Sequence, residues 1–122
     1  MIVFSIILLV LAGISKAVKD RIMTGWTGSK FERWGLDRNW WDNQISWRNK
    51  WKLTNGIVSQ DERFQFSSTL FVFVTDAWHC FDLAFILSFA FGIWLAPINP
   101  IWSVIIVLGV FQTAYSFLGI GK

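Results

Sequence analysis

The sequence predicts an all-α integral membrane protein with three transmembrane helices and an amphipathic, Trp-rich interfacial helix in a long first loop. Of its 122 residues, 54% are hydrophobic, and the mean hydropathy is +0.48. Nine Trp and twelve Phe are more than a soluble core of this length would use. Apolar stretches at about 1–18, 70–96 and 100–121 are the candidate spans. We expect a single membrane domain over residues 1–122.

The first span begins at the N-terminus. Residues 1–15 are apolar and uncharged, and the run reaches about 18 residues if Lys16 extends its ammonium to the interface. A secretory signal peptide carries basic residues before its apolar part, whereas here they follow it. The stretch is therefore predicted to be an uncleaved membrane anchor.

The loop that follows, at about 19–66, is predicted to be cytoplasmic and interfacial. Ten of the eleven Lys and Arg residues, against six acidic residues, lie between positions 16 and 63, which gives a local charge of +4. We therefore expect a multi-pass protein of the inner (cytoplasmic) membrane. By the positive-inside rule, its N-terminus lies outside and its C-terminus inside the cell. Because apolar stretches flank these basic residues, we expect anionic lipid headgroups as partners and no nucleic acid.

Within the loop, residues 36–53 are predicted to form one amphipathic helix in the plane of the membrane. Trp40, Trp47 and Trp51 recur at spacings of seven and four, which gathers aromatic rings on one side. Residues 54–56, Thr-Asn-Gly, predict a turn. The residues expected to contact lipid headgroups are Lys16, Lys19, Arg21, Arg33, Arg38, Trp40, Trp41, Trp47, Arg48 and Trp51.

The second span is the unusual one, because its uncharged part is short. Leu83–Ala96 has 14 residues, or about 21 Å of helix, whereas a hydrocarbon core is about 30 Å thick. A spanning helix would therefore draw His79 and Asp82 at least partly into the membrane. The pattern leaves open whether the span starts near Leu70 or near Ala77.

The third span is predicted over Ile101–Gly121, which contains no charged residue. Pro97 and Pro100 mark an external turn before it. Polar and small side chains, among them Gln112 and Ser116, recur along this helix every three or four residues. Such residues permit close packing and hydrogen bonds between helices.

Asp76, His79 and Asp82 follow at intervals of three and form the candidate functional stripe. If the second and third spans pack as a tight hairpin, Gln112 and Ser116 lie at the same depth and extend the stripe. Three interpretations remain open: packing of the fold or of subunits, a proton or ion path, and a metal or general acid–base site. Because the stripe has one imidazole, a metal would need ligands from a second subunit. We expect no metal and no cofactor.

The pattern favours a non-enzymatic membrane protein, either an assembly or accessory subunit or a small pore, in a homo-oligomer or a larger complex. Its size and three-span topology resemble one class of phage holins, which oligomerise to permeabilise the inner membrane. The resemblance covers topology alone, and the long loop at 16–63 departs from that class. The alternative is a membrane-embedded enzyme that acts on lipid headgroups or uses a metal at Asp76, His79 and Asp82, its candidate catalytic residues.

Overall fold

The computed structural model describes residues 1–97 and 99–120, and three long helices dominate it. All three are long and apolar enough to span a membrane, as the sequence predicts. At about 1.5 Å per residue each is about 28–32 Å long, close to the hydrocarbon thickness. In chain order the elements are α1 (Ile2–Ile22), α2 (Lys30–Arg33), α3 (Arg38–Trp41), α4 (Asn43–Ser46), β1 (Trp51–Thr54), β2 (Ile57–Glu62), α5 (Ala77–Leu95) and α6 (Pro100–Gly119).

The first long helix is the centre of the bundle, with α5 antiparallel and α6 parallel to it. Two glycines allow the close approaches. A Cβ on Gly13 would lie 2.8 Å from Cβ of Val110, and one on Gly92 would lie 2.8 Å from Cδ2 of Leu9. Helices α5 and α6 contact α1 extensively and each other only sparsely. The tight hairpin of spans two and three, on which the predicted depth match depends, is therefore not formed.

The second long helix begins at the later of the two starts that the sequence leaves open, near Leu70 or near Ala77. Helix α5 begins at Ala77, and Asp76 is its N-cap, accepting the backbone N–H of His79 at 2.8 Å. The preceding residues form turns and a short 3₁₀ helix at Val72–Val74. Their β-branched and aromatic side chains have low helix propensity, and the capping carboxylate fixes where the helix begins.

The third span begins as the sequence predicts. Asn99 caps α6 by accepting the backbone N–H of Ile101 at 2.9 Å, and Pro100 occupies the first helical position, where it needs no hydrogen-bond partner. The predicted end at residue 121, and Lys122, lie outside the described residues.

The single amphipathic helix predicted over residues 36–53 is not formed. The chain there folds into α3, α4 and a 3₁₀ turn at Trp47–Lys50, and the Trp residues do not share one helical face. Asp42 is the physical reason, because its backbone is extended and its carboxylate accepts the N–H of Gln44 at 3.0 Å. A capping Asp starts a new helix and so ends the previous one. Asp37 caps α3 in the same way.

A β-hairpin follows, so the protein is mostly helical and not all-α. Strands β1 and β2 pair antiparallel, with Thr54 opposite Ile57. Asn55 and Gly56 connect them with φ of 53° and 78°. The predicted turn is therefore confirmed, since Asn-Gly with positive φ is the preferred two-residue connection between strands. The strands on either side of it were missed.

Residues 26–51, the Trp-rich segment, pack against the end of the bundle where α1 finishes and α5 starts. Phe31 stacks on Trp41 with ring centroids 5.0 Å apart, and Trp41 lies 5.5 Å from Phe81 of α5. These rings extend the core from the long helices into the segment. The buried residues of this core are Ile22, Phe31, Ala77 and Leu118.

Candidate functional site at the charged end of the bundle

Lys19 and Asp82 connect α1 to α5 within the candidate spans. Nζ of Lys19 lies 2.8 Å from Oδ1 of Asp82, and the two side chains are 17% and 30% exposed. The ammonium also lies 5.4 Å from the ring centroids of Trp78 and Phe85. Asp82 therefore has a cationic partner on α1. The sequence predicts a different partner, the polar face of the third span.

The other two cations at the end of α1 contact α6. Nε of Arg21 donates to the carbonyl oxygen of Tyr115 at 2.9 Å, and the guanidinium lies 3.6 Å from the Tyr115 ring centroid. Lys16 pairs with Asp20 at 2.7 Å and lies 4.4 Å from the ring centroid of Phe111. Both cations are thus used within the bundle, and their contact with lipid headgroups stays a prediction.

Asp76 and His79 form a close pair at the start of α5. Asp76 is 3% exposed, and its two carboxylate oxygens lie 2.8 and 2.9 Å from Nδ1 of His79. The helix N-terminus favours a carboxylate at this position. A carboxylate held against Nδ1 fixes the imidazole ring and leaves Nε2 as its free nitrogen. This geometry suits both a rigid cap and an oriented proton carrier.

A cavity of about 100 Å³ adjoins this pair. Ser46, which is 2% exposed, lines it together with His79. Asp82 does not, and among residues 1–97 and 99–120 no three His, Cys, Asp or Glu side chains come together as a metal site. The predicted stripe of Asp76, His79 and Asp82 therefore separates into a pair and a third residue bound elsewhere. The cavity is lined by Met23, Asn43, Ser46, Trp47, Asp76, Trp78 and His79.

Two side chains fasten the Trp-rich segment to the peptide before α5. Nδ2 of Asn49 donates to the carbonyl oxygens of Asn39 and Thr75, at 2.7 and 2.8 Å. Nε1 of Trp40 donates to the carbonyl oxygen of Val74 at 3.0 Å. Trp40, predicted to contact lipid headgroups, thus bonds the protein's own backbone, and Asn49 is an isolated Asn without a sequence pattern that marks such a role.

Gln112 and Ser116 lie apart from the ionisable residues, on the outer face of α6. Both are exposed, and Nε2 of Gln112 lies 3.4 Å from Oγ of Ser116. Nearby, the hydroxyl of Thr113 donates to the carbonyl oxygen of Gly109 on the same helix. Within the described chain, these side chains make no hydrogen bond to α1 or α5. The predicted stripe is thus three separate features: the Asp76–His79 pair, Asp82, and the Gln112–Ser116 pair.

The remaining predicted headgroup residues differ in their surroundings. Arg38 pairs with Asp42 at 3.0 Å, whereas Arg33 is exposed and has no ion pair among the described residues. Arg48 lies with its guanidinium 5.7 Å from the ring centroid of Trp47 and lines an open cleft of about 710 Å³.

Two basic residues near this cleft, Arg63 and Lys52, are not among the site residues that the sequence predicts. Arg63 lines the same cleft, and Lys52 lines an adjoining one of about 470 Å³ together with Trp51. Their proximity depends on the hairpin, which was not predicted.

Comparison with protein-family models, curated proteins and solved structures finds no match to this chain.

Proposed function

We propose that this chain is a three-span membrane protein that acts non-enzymatically as a subunit of a homo-oligomeric assembly. The observation that carries the proposal is the exposed pair of Gln112 and Ser116 on α6, which the described bundle leaves without a partner on another helix. A polar side chain that faces lipid is costly, and a hydrogen bond to a neighbouring helix removes that cost.

A second copy of the chain is the partner that this chemistry fits best. The amide of Gln112 carries both donors and an acceptor, so two such amides related by a two-fold axis satisfy each other. Gly109 and Thr113 lie on the same exposed side, and a Cβ on Gly109 would meet no atom within 4 Å. Two α6 helices therefore have room to approach closely there.

The distribution of charge favours packing over a pore through one chain. The innermost ionisable residues of the long helices are Lys16, six residues before the end of α1, and Asp82, five residues into α5. At about 1.5 Å per residue they lie within about 10 Å of one end of the bundle. A path across the membrane would need polar groups along its whole length, so we favour the assembly function.

The orientation that we propose follows from the same charges. The positive-inside rule puts the Trp-rich segment on the cytoplasmic side of an inner membrane and the N-terminus outside. Anionic headgroups are then the lipids that surround the basic residues at 16–63. The exposed rings of Trp47 and Trp34 suit this interface.

The mass of the protein purified in a mild detergent or a nanodisc tests the assembly function. We expect wild type to be a discrete oligomer and Gln112→Leu/Ser116→Ala to be monomeric. Ser88→Ala is the control, because Ser88 bonds only the carbonyls of Ala84 and Phe85 on its own helix in the described structure. A monomeric wild type, or a double variant that keeps the oligomer, would overturn the proposal.

The Asp76–His79 pair favours a second candidate, an enzyme that acts on lipid headgroups with His79 as general base. Its support is the orientation of the imidazole by a buried carboxylate beside a small cavity. Turnover of a lipid substrate that is lost in His79→Gln, with the oligomer and the thermal stability unchanged, would put this candidate first. Equal turnover in the variant would remove it.

A further inference from the structure

The two adjoining clefts beside the hairpin have a strongly cationic lining. They share Arg48 and Arg63, and Lys52 adds a third cation to the smaller cleft, whereas Asp37 is the one acid among the residues that line them. Within the described part of the chain, none of the three cations has an ion pair. Oδ1 of Asp37 accepts the N–H of Asn39 at 3.0 Å.

The backbone holds the two arginines in place. Arg63 follows β2, and its N–H donates to the carbonyl oxygen of Lys50 at 3.0 Å, which closes the open end of the hairpin. Arg48 lies in the 3₁₀ turn just before β1, and its neighbour Asn49 is tied to Thr75. Two guanidinium groups on a fixed backbone are suited to bind one phosphate through several N–H donors.

The position of the larger cleft relative to the bundle indicates where its ligand comes from. Val74 and Thr75 line the cleft, and the membrane-spanning candidate α5 begins at Ala77. Lipid headgroups occupy the layer just outside the hydrocarbon core. A cleft two residues before the start of a span therefore lies at headgroup level.

The apolar part of the lining is exposed as well. Leu53 is 59% exposed, Val74 is 54% exposed, and Phe64 is also exposed, although all three face the larger cleft. Cations beside exposed apolar side chains match an amphiphile, with a phosphate at one end and hydrocarbon at the other.

We propose that Arg48 and Arg63 form a site for a phosphate-bearing anion, supplied by the headgroup of an anionic phospholipid. Lys52 adds charge, and Leu53, Phe64 and Val74 contact the glycerol and the first carbons of the acyl chains. The site rests on the proposed position of the Trp-rich segment at the membrane surface and does not depend on assembly through α6. A general attraction between cations and headgroups needs no such site, and the experiment separates the two.

Titration calorimetry in a neutral detergent tests the site without a charged bilayer surface. The probes are a short-chain phosphatidylglycerol below its micelle concentration, and inorganic phosphate. We expect Arg48→Gln/Arg63→Gln to weaken binding of the lipid by more than about tenfold. The matched control, Arg33→Gln/Lys50→Gln, removes the same charge from residues that do not line the clefts, and we expect a change within about twofold.

The two probes distinguish the source of the phosphate. Tighter binding of the lipid, with the difference lost in Phe64→Ser, supports a headgroup site, whereas equal affinity for inorganic phosphate supports the same arginine site for a free anion. Equal losses in both double variants, absence of binding by either probe, or tighter binding of an acidic peptide would overturn the proposal. Because Arg33, Arg48 and Arg63 are exposed, and none of these or Lys50 has an ion pair among the described residues, both double variants should keep the wild-type melting temperature.

A negative result for the phosphate site can be distinguished from a negative result for the assembly function. Calorimetry in detergent reports the cleft whether or not α6 mediates an oligomer. The mass of the complex, in turn, is unaffected by Arg48→Gln/Arg63→Gln if the two sites are independent.

Discussion

Nζ of Lys19 lies 2.8 Å from Oδ1 of Asp82, and this ion pair joins α1 to α5 at the charged end of the bundle. The pair accounts for an acidic residue inside an apolar helix without any catalytic role. It also explains why α5 packs on α1, since leaving either charge alone near the hydrocarbon core would be costly.

Removing one partner of this pair should destabilise the bundle. We expect Asp82→Leu and Lys19→Met each to cost about 2 kcal/mol, because each leaves a half-buried charge without its partner. The double variant should cost clearly less than the sum of the two. Unfolding in mixed micelles, followed by circular dichroism, measures the three values. Additive losses would show that the two side chains do not interact.

Substitution of the two interfacial glycines should separate the helices. Gly13→Val and Gly92→Val place carbon atoms where Val110 and Leu9 already lie, so we expect a loss of about 1–3 kcal/mol for each. Ile86→Val is the control, since this α5 side chain is exposed and lies away from both glycines. The same micelle unfolding assay applies. Equal stability of the Gly13→Val and Ile86→Val variants would contradict the packing described here.

The cap at the start of α5 should depend on the oxygen of Asp76 more than on its charge. We expect Asp76→Ala to cost about 1–2 kcal/mol, because the N–H of His79 loses its acceptor. Asp76→Asn keeps an acceptor and should cost less. Thermal unfolding in detergent ranks the two variants. If Asn is as harmful as Ala, the contact between the Asp76 carboxylate and Nδ1 of His79 matters more than the cap.

Glu62 lies outside the spans, and its contacts with Phe66 and Ser68 should make the link between β2 and the following turns dependent on pH. The hydroxyl of Ser68 and the backbone N–H groups of Phe66 and Ser68 hold the pKa of this carboxyl below its ordinary value of 4.5. The folded chain thus binds this proton less readily than the unfolded chain. The stability from Glu62 is therefore complete above pH 4.5 and is lost as the pH falls through the lowered pKa.

Nuclear magnetic resonance tests the behaviour of Glu62. The amide signals of Phe66 and Ser68 should titrate together with a midpoint below 4.5. Glu62→Gln should abolish this titration and leave the signals of α1 unchanged. A midpoint above 4.5 would show that the hydroxyl and amide contacts do not stabilise the carboxylate.

The long helices were predictable because length and hydropathy alone define them. The start of α6 agrees with the predicted start of the third span, with Pro100 at the first helical position. The start of α5 was ambiguous for a physical reason: residues 70–74 are all apolar, but their β-branched and aromatic side chains and the capping Asp76 keep them out of the helix.

The candidate site was predictable in part. The pairing of Asp76 with His79 follows from their spacing of three residues across the start of α5, whereas the partner of Asp82 depended on which helices are neighbours. The aromatic spacing of Trp40, Trp47 and Trp51 indicated one helix, but the local hydrogen bonds of Asp42 outweighed it. Arg63 came near Arg48 only through the hairpin, which a sequence read for helices does not reveal.

The topology can be measured directly with single cysteines in a Cys80→Ser background. Gln60→Cys lies in β2, and Pro97→Cys lies at the opposite end of the bundle, between α5 and α6; both positions are exposed. With a membrane-impermeant maleimide added to intact spheroplasts, we expect labelling at position 97 and protection at position 60 until the spheroplasts are lysed. Labelling of both positions in intact cells, or of position 60 alone, would contradict a three-span protein with its basic segment inside.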